Sequence, residues 1–332
     1  VLTIDDLTDD DLLAIFDFYV VSYQNPDPMV AVMNEPETKR KLESWQSLVH
    51  VCRRWRCLVF GSTRRLNLQL YCRPGRSAKK SLDVWPALPL LIKSDVTETS
   101  VDNVIAELKH SDRICSIDLQ CDTISQFEDL WTAMQVPFPE LVGLYLSRHG
   151  GSLSHVPVLP DSFLGGSAPR LRYFYLFSIP FPGLPNLLLS ATHLVNLHLY
   201  NIPHSGYISP EAMATCLSLL TSLEQLVLQF NSPQSCPDQE SRRPPPATRS
   251  ILPALTWFLF KGVNEYLEDL VSWIDSPRLN ALSITFFNDT DFITPELNQL
   301  ISRTPALGKY DEARLIFNSH EALVRLRQFQ PE

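Results

Sequence analysis

Apolar residues return along most of this chain in one short rhythm, apolar-x-x-apolar-x-apolar. The copies read Ile114-Ile117-Leu119, Leu141-Leu144-Leu146, Leu171-Phe174-Leu176, Leu194-Leu197-Leu199, Leu223-Leu226-Leu228, Leu255-Phe258-Phe260 and Leu279-Leu282-Ile284. Leu66 and Leu70 make a looser beginning, and Trp85-Leu88-Leu90 reads as a degenerate early copy. The last two members of each triplet stand two residues apart, so on a strand they share one face. Copies recur at roughly 23–32 residues, a period typical of stacked repeats. Between them, 101–110, 125–134, 210–220, 266–274 and 295–303 carry helical spacing, whereas 178–190 is proline-rich and predicts an irregular return. One copy cannot bury its own apolar face, so neighbours must stack around a shared core.

The first sixty residues follow a different period. Leu12, Ile15, Phe16 and Tyr19 fall at i, i+3, i+4 and i+7, which predicts a helix with one apolar face. Asp9, Asp10 and Asp11 sit at its start, where carboxylates suit the helix dipole, and Thr8 or Asp9 is the predicted cap. The segment 24–41, with Pro26, Pro28 and Pro36, predicts a loop. A second periodic run covers 45–60, with Leu48, Val51, Cys52, Trp55, Leu58 and Val59 on one face and Gly61-Ser62 as its stop. Each large side chain buried there contributes about 1.5–3 kcal/mol, barely offsetting about 1–2 kcal/mol per residue ordered. So small a helical unit is expected to lean on a neighbour or a partner chain.

Two stretches break the repeat rhythm. Residues 231–249, containing Arg242-Arg243-Pro244-Pro245-Pro246, predict a surface insertion, and 150–160 predicts a second loop. The tail 310–332 is expected to cover the open end of the last repeat with Leu315, Phe317, Leu323 and Leu326. Strand alternation puts Tyr145, Ser147, Tyr173, Tyr175, Phe177, Asn196, His198, Tyr200, Gln225, Gln229, Trp257 and Lys261 on the face opposite the triplets. Aromatics grouped on a wet face mark interfaces, so Tyr145, Tyr173, Tyr175, Phe177, His198, Tyr200 and Trp257 are the candidate protein-binding residues. A long loop or the tail folding over them is the competing account.

Composition narrows the function classes. The 332 residues hold 28 Lys+Arg against 37 Asp+Glu, a net charge of −9, which argues against nucleic acid as the main partner. Arg53, Arg54, Arg56, Arg64 and Arg65 accordingly read as a solvated helix face. The 7 cysteines form no CxxC pair, so no metal site and no disulfide framework is expected, and a reducing compartment is. Asn288-Asp289-Thr290 is a chance-level glycosylation triplet. Prolines interrupt the longest apolar stretch, 173–189, so no membrane span is expected. The sequence has no P-loop, GxGxxG, HExxH or GxSxG, and its 11 Gly leave little material for phosphate-cradling loops. His149-Gly150-Gly151-Ser152 reads as a turn, Asp289 and Asp291 as a solvated loop, and His193, His198 and His204 as residues on separate faces. No catalytic residue and no cofactor is expected.

Residues 7–16, Leu-Thr-Asp-Asp-Asp-Leu-Leu-Ala-Ile-Phe, followed by Val51-Cys52-Arg53-Arg54-Trp55, resemble an F-box. The family pattern is Leu-Pro-x-Glu, an apolar helix ending in Ile-Phe, then Val-Cys-x-x-Trp; Thr8 stands here in place of the Pro. The repeats resemble leucine-rich repeats, which many F-box proteins carry behind that module. The resemblance implies an α/β fold, a leucine-rich-repeat solenoid over 63–332 preceded by a small all-α F-box over 1–62; a doubly wound sheet is the rival architecture. It implies docking to a Skp-type adaptor and a cullin complex through Leu7, Leu12, Ile15, Phe16, Leu48, Val51 and Trp55. It further implies a non-enzymatic substrate receptor for a protein client, placed in the cytoplasm, the nucleus or both. A repeat scaffold without a role in ubiquitination is the alternative.

Overall fold

The computed structural model describes residues 4–20, 45–72, 85–148, 157–235, 249–287 and 294–307, and the backbone of two strands at 312–317 and 321–327. Among the described residues, a 3-10 turn at Ile4–Asp6 is followed by three α-helices: α1 (Asp9–Tyr19), α2 (Trp45–Val49) and α3 (Arg53–Gly61). Then strands and helices alternate: β1 (Leu70–Cys72), β2 (Leu90–Val96), α4 (Val101–Leu108), β3 (Ile114–Cys121), α5 (Ile124–Ala133), β4 (Gly143–Arg148) and β5 (Tyr173–Phe177). The series continues with α6 (Leu184–Leu188), β6 (Asn196–Ile202), α7 (Pro210–Leu217), β7 (Gln225–Phe230), β8 (Ser250–Ile251) and β9 (Trp257–Gly262). It ends with α8 (Asn264–Trp273), β10 (Ile274–Asp275), β11 (Ala281–Phe287), α9 (Pro295–Arg303), β12 (Glu312–Phe317) and β13 (Glu321–Arg327).

Nine strands, β1 to β7 with β9 and β11, lie side by side in chain order, all parallel, in an open α/β sheet. Each new strand joins the same edge. A doubly wound sheet reverses direction at a switch point; this sheet has none, and its progression is solenoid-like.

The register shows why. Ile117, Leu144, Phe174, Leu197, Leu226, Phe258 and Leu282 are successive partners across the sheet, and so are Leu119, Leu146, Leu176, Leu199, Leu228, Phe260 and Ile284. No member of the seven triplets is more than 4% exposed. The first member of each later triplet closes a turn: Leu141, Leu171, Leu194, Leu223, Leu255 and Leu279 each donate N–H to the carbonyl three residues earlier, at 3.0–3.4 Å. The next residue then bonds back to the preceding repeat, as in Val142 N to Cys115 O at 2.8 Å and Val195 N to Arg172 O at 2.8 Å. A six-residue word thus sets the turn, the register and the core together.

Helices pack on the triplet side of the sheet, four of them directly against their successors: α4 on α5, α6 on α7, α7 on α8, α8 on α9. Four of the five predicted helical returns match α4, α5, α7 and α9 within a few residues, and the fifth matches α8. The proline-rich return differs, because it contains the short α6. Pro185 sits in the first helical turn, where its missing N–H would have had no intrahelical partner.

Two further expectations change, and the tail takes its expected place at the end of the last repeat in a form the sequence did not predict. The early copy is misaligned: Leu90 pairs with Ile114 and Ile92 with Ile117, so the repeat's core is Leu90 and Ile92, while Trp85 packs on Trp45 at 5.1 Å. The 45–60 run is two helices, since extended backbone at Cys52 (φ −155°) caps α3 and leaves Val51 exposed at the break. The tail adds strands: β13 pairs antiparallel with β11 and β12 with β13. The core also runs unbroken across the expected boundary at residue 62, from Leu12 and Val59 to Leu66 and Leu68.

Candidate interaction surfaces

At the amino end, Thr8 caps α1 through a reciprocal box. Its hydroxyl accepts from Asp11 N at 3.2 Å, and the Asp11 carboxylate accepts from Thr8 N at 3.0 Å and the Thr8 hydroxyl at 2.6 Å. Those bonds favour the ionised Asp11 and lower its pKa. Of the arginines expected as a solvated face, Arg53, Arg56, Arg64 and Arg65 are exposed and Arg54 is half-buried, and three of the five also brace the helical unit. Arg54 donates to Asp9 Oδ1 at 2.7 and 3.0 Å and to Leu7 O at 2.7 Å, Arg65 pairs with Asp17 at 2.8 Å, and Arg56 donates to Val49 O at 2.9 Å.

This arrangement divides the seven candidate docking residues. Leu12 and Phe16 are 0% exposed and Leu48 is 6% exposed, so in this structure they form the inside of the helical unit. Phe16 meets Trp55 edge-on at 4.7 Å, and both Trp55 and Leu7 are half-buried against the same core. Ile15 and Val51 face outward, at 48% and 59%. The sequence reading missed Phe18, 87% exposed, and placed Tyr19 inward although it is half exposed. Helix α1 is apolar on two sides: Leu12, Leu13 and Phe16 pack inward, and Ile15, Phe18 and Tyr19 point outward at i, i+3 and i+4. The excess of apolar positions on α1 was the signal, but periodicity does not say which stripe meets the core.

The second surface is the sheet face away from the helices. Cα partnering sets Lys93, Asp118, Tyr145, Tyr175, His198, Val227, Leu259 and Ser283 in one row. Ser116, Gly143, Tyr173, Asn196, Gln225 and Trp257 form the next. Six of the seven candidate residues come together as a chain of rings. Tyr145 lies 6.4 Å from Tyr175, Tyr175 lies 5.1 Å from Tyr200, Phe177 lies 6.5 Å from Tyr200, and His198 lies 6.3 Å from Tyr175 and 5.8 Å from Trp257. Tyr173 carries the Arg172 guanidinium 5.8 Å from its ring centroid.

The rings cover one another unequally. His198 is 6% exposed and Asn196 8%, whereas Tyr145, Tyr173, Tyr175, Phe177, Tyr200 and Trp257 are half-buried. His198 therefore packs beneath its neighbours as a floor residue. Tyr200 owes its position to a register break: β6 leaves β7 between Leu199 and Ile202, with Asn201 at φ 50°, a left-handed conformation that Asn tolerates. Burial and the Asp118 carboxylate both raise the pKa of the Tyr175 hydroxyl. Lys93 and Asp118 pair at 3.3 Å at one end of the row, and the Asn196 and Gln225 amides meet at 3.4 Å.

The six described cysteines are free thiols; burial pushes Cys72, Cys115 and Cys121 up to about 12 and Cys216 to about 11. Among the described residues no three His, Cys, Asp or Glu side chains are grouped to hold a metal ion, and no helix is long and apolar enough to cross a membrane. The loop at 24–41, the turn at 149–152, Asp289 and Asp291 with the glycosylation triplet, and all but the flanks of the 231–249 insertion lie outside the described residues, as do the tail side chains Leu315, Phe317, Leu323 and Leu326. Scanning the sequence against protein-family models and searching the curated proteins gave no match.

Proposed function

We propose that this chain is a substrate receptor of a cullin–RING ubiquitin ligase, with α1–α3 as an F-box-like module and the repeats as a leucine-rich-repeat solenoid. The module docks a Skp-type adaptor, and the open sheet face holds a protein client. The receptor performs no chemistry itself; it raises the effective concentration of the client near the transfer site. The observation that carries the reading is the two-sided α1. Its inward stripe suffices for its own packing, and Ile15, Phe18 and Tyr19 remain as an outward apolar stripe that needs a partner.

A repeat scaffold in which the front helices only cap the sheet is the second reading. It is favoured by Trp45, 1% exposed, whose indole N–H donates to Gln69 O at 3.1 Å and whose ring packs on Trp85 and Phe60.

Co-purification with a Skp-type adaptor separates the two. The wild-type chain should retain the adaptor, and Ile15→Asp with Phe18→Asp should weaken retention by at least about tenfold. Because both side chains are exposed, the thermal transition should stay where it is. Failure of the wild type to hold the adaptor rejects the ligase reading. Changes at Leu12 or Phe16 are unsuitable probes, since they open the helical core.

A further inference from the structure

We propose that the open sheet face recognises an extended client segment carrying arginine or lysine, whose cationic heads lie on the ring faces between β4 and β9. This rests on the reading of that face as the client site, and it names the client's chemistry.

The face is electrostatically uneven. Its two lysines stand at the ends and are both engaged, Lys93 with Asp118 at 3.3 Å and Lys261 with the Phe287 ring, its ammonium 5.4 Å from the centroid. Between them, the outward positions of β4 to β7 carry no Asp, Glu, Lys or Arg; Arg148, at the end of β4, is 4% exposed and shares the triplet side with Leu144 and Leu146. What that stretch presents instead is π-electron density. Tyr145, Tyr175, Tyr200 and Trp257 contribute it, joined directly or through the buried His198 at centroid distances of 5.1–6.4 Å. Ring faces are negative in their quadrupole, so they attract cations and disfavour phosphate or carboxylate.

Two observations agree. Arg172 already lays its guanidinium over Tyr173 beside this stretch, so these rings accept such a group in this setting. Asp118 shares the row of Tyr145 and Tyr175, and burial first and the Asp118 carboxylate second raise the pKa of the Tyr175 hydroxyl. That carboxylate, paired with Lys93 at 3.3 Å, is an acceptor at this edge that an incoming guanidinium can share. An extended segment crossing the strands would meet a ring at each step of about 4.8 Å from β4 to β6.

The test uses the full chain and fluorescence anisotropy at physiological ionic strength. The probe is a labelled peptide with four arginines separated by Gly-Ser pairs; matched peptides carry citrulline or glutamate instead. The arginine probe should bind about tenfold tighter than the citrulline probe, and the glutamate probe weakest. Tyr175→Leu and Trp257→Leu should each weaken the arginine probe about tenfold, while Tyr175→Phe, which keeps the ring, stays within about twofold. Asp118→Asn, a change at a part-exposed ion pair, should weaken it several-fold and gives a readout should the leucine variants fail to fold.

Equal binding of the arginine and citrulline probes overturns the proposal, as does arginine binding unchanged in the leucine variants or in Asp118→Asn. If no probe binds but the leucine variants lose clients captured by the wild type, the cationic class falls and the client face stands. If the leucine variants also keep every client, both fall.

Discussion

Glu107, on α4, is 2% exposed, and burial alone raises its pKa to about 8. The unfolded chain releases this proton near the ordinary value of 4.5, whereas the folded chain keeps it until about 8. Between those values the folded state binds the extra proton, so stability falls as pH rises through the window and the loss is complete above it. Glu107→Gln should remove that dependence. In urea titrations the variant should gain on the wild type from pH 5 to pH 8.5, by an amount on the order of a few kcal/mol; parallel stability curves would show that the carboxyl titrates normally. Nothing in the sequence flagged Glu107, because a carboxylate on a helix reads as solvent-facing. The ladder leucines were legible for the opposite reason: a period of two leaves an apolar residue only one dry face to occupy. Ile15 and Val51 fall between these cases. Both sit in helical patterns that look inward, but α1 has two apolar stripes and the helix breaks at Cys52, so only packing chose the side.

At the scale of elements, the repeats hold one another by backbone groups as much as by side chains. Helix α9 begins at Pro295 after Thr294, whose side chain makes no capping bond. Its first amides are met instead from the preceding repeat, where Glu268 on α8, 7% exposed, accepts from Glu296 N at 2.9 Å and Leu297 N at 3.0 Å. A carboxylate there also meets the positive end of the helix dipole. Glu268→Ala should cost about 1–3 kcal/mol by stranding one buried and one part-buried donor, with Glu268→Gln intermediate. Chemical denaturation measures this, and an unchanged midpoint for Glu268→Ala would mean that water replaces the carboxylate. This cap joins residues 28 and 29 positions apart. Capping rules search only a few residues around a helix start, so it was not readable in advance. The box at Thr8 was, because its partner is Asp11.

The whole molecule poses a problem that a stack of parallel strands always has, namely its open edges. At the carboxyl end the turn word recurs once more, Leu307 N donating to Thr304 O at 3.0 Å, but among the described residues no parallel strand follows. The chain passes on to β12 and returns as β13, which takes the place beside β11 and reverses the pairing. Removal of residues 308–332 should therefore bare the β11 edge. Sedimentation velocity should then show concentration-dependent association while the described repeats keep their circular dichroism; a monomer at all concentrations would mean that the hairpin is dispensable as a stop. At the amino end Trp45 and Trp85 join the helical unit to the first strands, so the core is shared across the junction.

The sequence by itself determined the repeat word, the sidedness of each strand and most of the helical returns, because these depend on neighbours within a few residues. Only the tertiary structure decided which apolar stripe of α1 faces outward, that His198 lies beneath its neighbouring rings, how Glu268 reaches α9 and that the tail pairs antiparallel. Each of those follows from contacts between segments far apart in the chain, where local period carries no information and the competition for buried surface sets the result.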